Sequence, residues 1–160
     1  MRISATATAG RLGRVTLAAA CALGIVGLAS VASAQAPTVT ARDAWVREPS
    51  PSNNNTALFV VLENTGTDKR AVLSAASDAA ARVELHEMKM DGAMMRMSPV
   101  KQIDVPAKGT VELKPGGLHV MLFDLTKRPA AGDSVVVTLT LDDGSKVPVT
   151  ATVRKQESRQ

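Results

Sequence analysis

Short runs of alternating apolar and polar residues constrain the fold of this chain more than any other feature. The alternation is clearest over residues 135–141 and 147–153, where every second side chain would face a core. Turn signals separate such runs, at residues 64–66, 91–92, 115–117, 131–133 and 142–144. Many short strands at this spacing predict an all-β fold, an antiparallel β-sandwich or barrel.

These patterns predict nine strands in a single domain. The predicted strands cover residues 39–46, 56–63, 71–74, 82–90, 93–100, 110–113, 118–125, 134–141 and 146–153. Residues 74–81, with Asp78 among alanines, suggest one short helical turn. The tails at residues 35–38 and 156–160 are expected to be frayed, and the chain contains no internal repeat.

The first 34 residues have the pattern of a secretory signal peptide. Three arginines precede an apolar stretch over residues 15–31, and no acidic residue occurs before Asp43. The sequence Ala-Ser-Ala at residues 32–34 is a cleavage signal, which predicts a cut after Ala34 and a periplasmic location. An uncleaved anchor is the alternative, because the apolar run is nearly long enough to span a bilayer. The cleavage signal and the polar Gln35 favour cleavage, leaving no membrane attachment.

The single cysteine lies within this signal peptide. Cys21 raises the possibility of a lipoprotein, but Ala18 stands where a lipobox usually has a large aliphatic residue, which disfavours lipidation. Cleavage after Ala34 would leave an exported domain, residues 35–160, without a thiol. Such a domain contains no disulfide and is insensitive to thiol oxidation.

The charge of the exported domain excludes some functional classes. Of the nineteen basic residues, three leave with the signal peptide, and the remaining sixteen nearly balance fifteen acidic ones. The chain has no basic stripe, so nucleic-acid binding is not expected. It also has no acid–base pair beyond its two histidines, and catalysis is therefore not expected. Trp45, Phe59 and Phe123 lie in apolar strands, where core packing is the default prediction.

Histidine and methionine are confined to two stretches of the exported domain. The only histidines are His86 and His119, and all six methionines beyond the initiator lie within residues 86–97 and 117–121. Imidazole nitrogen and thioether sulfur form a soft ligand set, and soft ligands select Cu(I). The composition of these stretches predicts a copper site.

A predicted hairpin gives this site a geometry. Asp91-Gly92 favours a two-residue type I′ loop, which would pair Met90 with Ala93, Met88 with Met95, and His86 with Met97. Directly opposed residues project from one face with Cβ atoms about 4.5–5.5 Å apart. His119 and Met121 are two residues apart on another predicted strand and also share a face. If the strands lie side by side, the candidate metal ligands are His86, Met97, His119 and Met121.

The remaining hairpin methionines leave several roles open. They are Met88, Met90, Met94 and Met95. Methionine on a strand is usually a core residue, but here the methionines alternate with Glu87, Lys89 and Arg96. They could support the ligands, bind copper in transit, or form an apolar contact patch.

The spacing of the four candidate ligands resembles a known signature. It is similar to the H-x10-M-x21-H-x-M motif of the PCuAC family of periplasmic copper chaperones, also called DUF461. Residues 43–47, 85–87 and 113–121 resemble the same family, and the resemblance covers about residues 41–153. It implies a cupredoxin-like Greek-key β-barrel that binds one Cu(I) per chain at an exposed site.

The resemblance also implies a function and partners. It suggests delivery of copper toward the dinuclear copper centre of cytochrome c oxidase, directly or through a Sco-like thioredoxin-fold chaperone. Some relatives carry a His- and Met-rich C-terminal tail, but residues 156–160 contain neither residue, so no second site is carried over. We expect a monomer. A copper buffer or resistance protein is the main alternative, and a scaffold module with a methionine contact patch is a weaker one.

Overall fold

The computed structural model describes residues 38–155, which form ten β-strands. The strands are β1 (Val39–Arg47), β2 (Thr56–Asn64), β3 (Arg70–Ala76), β4 (Ala80–Asp91), β5 (Met94–Pro99), β6 (Ile103–Val105), β7 (Gly109–Leu113), β8 (Leu118–Leu125), β9 (Ser134–Leu141) and β10 (Lys146–Arg154). This part of the chain contains no helix that could span a membrane. The predicted signal peptide and its cleavage site lie outside the described residues.

The strands form one open, mixed sheet. Its order is β5-β4-β8-β2-β1-β10-β9-β3-β6, and β7 pairs with β2 beyond β8. The all-β prediction is therefore confirmed, but one pair, β1 with β10, is parallel rather than antiparallel. These two strands come from opposite ends of the domain, so no tight turn forces them to run in opposite directions.

One face of the sheet closes over a single hydrophobic core. The predicted alternation of β9 and β10 is confirmed, because every second side chain of both strands is buried. Leu58, Leu62, Val120 and Leu122 join them from the other half of the sheet. Burial of one such side chain contributes about 1.5–3 kcal/mol. The residues described here thus share one core, as a single domain requires.

A β-bulge in β1 sets the orientation of its second half. Arg42 pairs with Val61 of β2, yet Trp45, three residues later, pairs with Phe59, only two residues away. Asp43 absorbs the extra residue with a positive φ of 53°, a conformation that Asp adopts more readily than most residues. The bulge turns Trp45 to the face opposite the core.

One local prediction was wrong, and one strand was missed. Residues 74–81 form no helical turn: β3 continues to Ala76, and a tight turn at Asp78 and Ala79 leads into β4. The strand β6 was not predicted, because three residues are too few to show a period. Its two apolar residues, Ile103 and Val105, are nevertheless fully buried.

Candidate metal centre

The strand order brings all four candidate ligands to the face of the sheet opposite the core. β4 lies between β5 and β8, and His86 of β4 is directly opposite His119 of β8. Met121 follows two residues after His119 and therefore projects from the same face. Met97 of β5 is directly opposite Met88 of β4. The β4–β5 hairpin and β8, which together carry the four candidate ligands, thus lie side by side.

The predicted pairing of the hairpin was wrong by two residues. His86 pairs with Pro99, Met88 with Met97, and Met90 with Met95. The loop consists of Gly92 and Ala93, and only Gly92 has a positive φ, 64°, as in a type II′ turn rather than type I′. Because the side-chain period is two, a shift of two residues leaves each methionine on its predicted face.

His119 and Met97 make the contact that defines the centre. The Nε2 atom of His119 lies 3.2 Å from the Sδ atom of Met97. On the other side of the ring, Nδ1–H donates to the carbonyl oxygen of Gly117 at 2.9 Å. In a neutral imidazole, only one nitrogen carries a proton. Nε2 therefore presents a lone pair to a sulfur that also carries lone pairs, and a soft cation would bind both atoms.

His86 has a matching arrangement. Its Nε2–H donates to the Glu84 carboxylate at 2.9 Å, which leaves the lone pair on Nδ1. In the described part of the chain, Nδ1 of His86 is buried without a hydrogen-bond partner. A histidine that ligates a metal usually donates its other N–H to a carboxylate or a backbone carbonyl. Both histidines of the centre have such a partner.

Burial and neighbouring groups favour a neutral His119 and an ionised Glu84, the protonation states that metal binding needs. Burial lowers the pKa of His119 below its usual value, and the neighbouring His86 and the positive charge of Arg47 act in the same direction. The hydrogen bond to Gly117 opposes this shift but is weaker. Hydrogen bonds from His86 and from Arg82 lower the pKa of Glu84, so this carboxylate remains an acceptor. A neutral His119 keeps its lone pair available for a metal.

Aromatic rings surround the two imidazoles. Trp45 packs on Phe59 with ring centroids 4.5 Å apart, and Phe59 lies 6.3 Å from His119. Phe123 lies 5.7 Å from His86 on the other side. The prediction of core packing is confirmed for Phe59, which is buried, but not for Trp45 and Phe123, which are only partly buried. None of the three belongs to the main apolar cluster. Alternation and the β1 bulge place them on the opposite face, where they cover the histidines.

The centre is covered on one side and open on the other. His86 is 6% exposed and His119 is 3% exposed, whereas Met97 is 48% exposed and Met121 is half-buried. The expectation of an exposed site therefore applies to the thioethers and not to the imidazoles. Residues 38–155 contain no cluster of three or more His, Cys, Asp or Glu side chains that could hold a metal. The available donors are thus a mixture of nitrogen and sulfur.

Glu84 and Gly117 were not identified from the sequence. Glu84 lies two residues before His86, so strand alternation places both on one face. Gly117 lies two residues before His119 in the turn between β7 and β8. A carboxylate two residues from a candidate histidine ligand could have been predicted as its hydrogen-bond partner. A backbone carbonyl could not, because every residue has one.

Comparison with known proteins identifies the family. The family described as "Putative lipoprotein LpqE-like" matches residues 39–153 of the chain. The chain belongs to this LpqE-like family, which is the PCuAC or DUF461 family.

Two curated proteins are similar to this PCuAC chain. The protein "Putative lipoprotein Lxx21020" of Leifsonia xyli is 38% identical over 152 residues, with 90% of each chain covered. The protein "Uncharacterized protein RP573" of Rickettsia prowazekii is 28% identical over 97 residues, which cover 58% of this chain and 52% of that protein. The first match extends over nearly the whole chain.

Solved PCuAC structures share the fold. The solution structure of CuI-DR1885 from Deinococcus radiodurans has a TM-score of 0.62 at 35% identity, covering 80% of this chain and 86% of that one. The copper-bound PCuAC domain from PmoF2 has a TM-score of 0.64 at 22% identity, covering 75% and 95%. The predicted cupredoxin-like fold is therefore confirmed.

Proposed function

We propose that this protein is an exported, monomeric Cu(I) carrier. One Cu(I) per chain would bind to His86, Met97, His119 and Met121. The observation that carries this proposal is the 3.2 Å approach of two lone-pair donors, Nε2 of His119 and Sδ of Met97. The copper-bound form of the DR1885 relative, at 35% identity, supports copper as the metal.

The ligand set suits a carrier better than an enzyme or an electron-transfer protein. Thioethers and neutral imidazoles carry no charge, so they favour Cu(I) over Cu(II). A blue-copper site would need a cysteine thiolate, and residues 35–160 contain no cysteine. The half-exposed Met97 lets an incoming thiolate displace one thioether at a time. The ion would then leave as Cu(I), with no change of oxidation state.

We propose that the carrier works in the periplasm after cleavage following Ala34. The lipoprotein names of the family and of the Leifsonia protein favour one alternative, lipidation of Cys21. Intact-mass measurement of the processed protein separates the two. A mass that begins at Gln35 supports a soluble carrier, whereas a diacylated mass that begins at Cys21 supports a tethered one.

The proposed destination of the ion is the dinuclear copper centre of cytochrome c oxidase. Delivery would occur directly to the oxidase copper subunit or through a Sco-like thioredoxin-fold chaperone. A copper buffer is the alternative function. The compact ligand set favours transfer, because storage proteins usually multiply their sites.

Two experiments test the proposal in sequence. The first is an anaerobic Cu(I) titration of the processed protein against a competing chelator, for wild type, Met97→Leu and His119→Ala. Wild type should bind one equivalent tightly, and both variants should bind it more weakly. Tight binding that is indifferent to both substitutions would contradict the proposed ligands.

The second experiment measures transfer. The Cu(I)-loaded protein is mixed with the apo oxidase copper domain or with an apo Sco-like protein, and the copper in each protein is measured after separation. Transfer to either acceptor supports the carrier function. If copper moves only to small-molecule chelators, the carrier function is contradicted and the buffer function is supported instead.

A further inference from the structure

Four methionines form a regular array on one face of the β4–β5 hairpin. Met88 is directly opposite Met97, and Met90 is directly opposite Met95. All four side chains project from the face that carries His86, because they follow it at even intervals along paired strands. We call these two cross-strand pairs the thioether ladder. Its inner pair contains Met97, and its outer pair lies beside the hairpin loop.

The opposite face of the hairpin has a different chemistry. It carries two ion pairs, Lys89 with Glu87 at 2.7 Å and Arg96 with Asp91 at 2.8 Å. The remaining methionine of the hairpin, Met94, pairs with Asp91 and therefore belongs to this charged face. The hairpin thus separates four thioethers from its charges.

The outer pair is freely accessible to solvent. Met90 is 64% exposed and Met95 is 56% exposed. Exposed apolar surface usually marks a binding site when it is contiguous. Methionine is common at protein contact surfaces, but the ladder contains no aromatic side chain, and all four of its residues carry a thioether sulfur. Its uniform feature is sulfur, which points to a soft ion.

The ladder leads to the proposed metal centre. Met97 of the inner pair contacts His119 at 3.2 Å. The methyl carbon of Met95 lies 3.9 Å from the position that a Cβ atom would take on Gly116. Gly116 precedes Gly117, whose carbonyl fixes the His119 ring. The outer pair therefore borders the same turn that orients the buried histidine.

We propose that Met90 and Met95, with Met88 next to them, form an outer, thioether-only site for a soft monovalent cation. Directly opposed residues have Cβ atoms about 4.5–5.5 Å apart, so two flexible thioethers can hold one ion. The outer site lacks an imidazole and is exposed, so it binds more weakly than the inner centre. The ion passes to Met97 by exchange of one thioether for another, with no change of oxidation state. The passage of the ion to Met97 rests on the proposed function, whereas the outer site itself does not.

The test is a titration of the processed protein with Ag(I), a soft monovalent ion that needs no reductant. The protein carries 13C-labelled methionine methyl groups, and NMR follows each methyl signal after assignment by single variants. The first equivalent should shift the signals of Met97 and Met121. Further Ag(I) should shift those of Met90 and Met95 and leave Met94 unchanged.

Two variants separate sulfur ligation from apolar surface. The double variant Met90→Leu/Met95→Leu preserves side-chain volume but removes sulfur, so it should lose the second phase and keep the first. The control Met94→Leu removes an equally exposed thioether, 63% exposed, from the charged face and should keep both phases. Retention of the first phase also shows that the double variant is folded.

Three results would overturn the outer site: no second phase in wild type, a second phase that persists in the double variant, or its loss in Met94→Leu. Failure of the inner centre gives a different result. In that case the signals of Met97 and Met121 do not respond to the first equivalent, while those of Met90 and Met95 still shift.

Discussion

His119 and Met97 meet at 3.2 Å although they lie 22 residues apart on strands that are not neighbours. β4 separates β8 from β5, so the ring and the thioether approach each other across the strand that carries His86. Their approach shows that the proposed ligand set needs both the β4–β5 hairpin and β8.

Met97→Leu should weaken Cu(I) binding with little effect on folding. Even the loss of a group that only supports a metal ligand usually costs 10–100-fold in affinity, so we expect a loss of at least about tenfold here. Met97 is half exposed, and the free energy of unfolding should change by no more than about 0.5 kcal/mol. Chelator competition and urea denaturation measure the two quantities. Met94→Leu is the control, and an equal loss of affinity in it would contradict the assignment.

Glu84→Gln should reduce Cu(I) affinity through His86. The substitution replaces the carboxylate that accepts Nε2–H from His86, and the expected loss is about 10–100-fold. Glu87→Gln removes a neighbouring carboxylate that pairs with Lys89 on the other face, and it should have no effect on affinity. Competition titrations of both variants check this prediction. Equal affinities would show that Glu84 does not position the imidazole.

The apoprotein should lose stability in mild acid because of His119. Its pKa in the folded protein is lowered by burial, whereas the unfolded chain has the usual value near 6.5. Between these values the unfolded chain binds a proton that the folded chain does not, so the free energy of unfolding falls as the pH falls. Urea denaturation at about pH 7.5 and pH 5.5 measures the loss. The loss of unfolding free energy should be smaller in His119→Gln. An identical loss in this variant would show that His119 is not its cause.

Cu(I) affinity should decrease over a similar range. Each ligating imidazole must be neutral, so protonation competes with the metal. The lowered pKa of His119 keeps this ligand available below the pH at which a free imidazole is protonated. Chelator competition between about pH 7 and pH 5 checks this, and a flat affinity would contradict the prediction.

Leu122→Ala should destabilise the fold without altering the centre. Leu122 is fully buried and projects from the face of β8 opposite to Met121. Loss of a buried leucine side chain costs about 2–5 kcal/mol. Urea denaturation should show this loss, while the Cu(I) affinity of the folded fraction stays unchanged. A parallel fall in affinity would mean that the two faces of β8 are coupled.

Several features of the centre could be predicted from local sequence. Alternation placed His119 and Met121 on one face of β8, and the opposite face carries the buried Val120 and Leu122, as expected. The hairpin around residues 91–93 was also predicted, but its register was not. Asp91-Gly92 and Gly92-Ala93 are both acceptable two-residue loops, and local preference does not choose between them.

The sequence by itself determined the strand periods, the confinement of soft ligands to two stretches, and the motif that marks the family. These features depend on residues close together in the chain or on fixed spacings. Only the tertiary structure decided that His86 is opposite His119, that Glu84 holds His86, and that Trp45 and Phe59 cover the centre. Each of these contacts depends on which strands become neighbours and on the bulge at Asp43. Burial of the whole core selects that arrangement, and no local segment of the sequence specifies it.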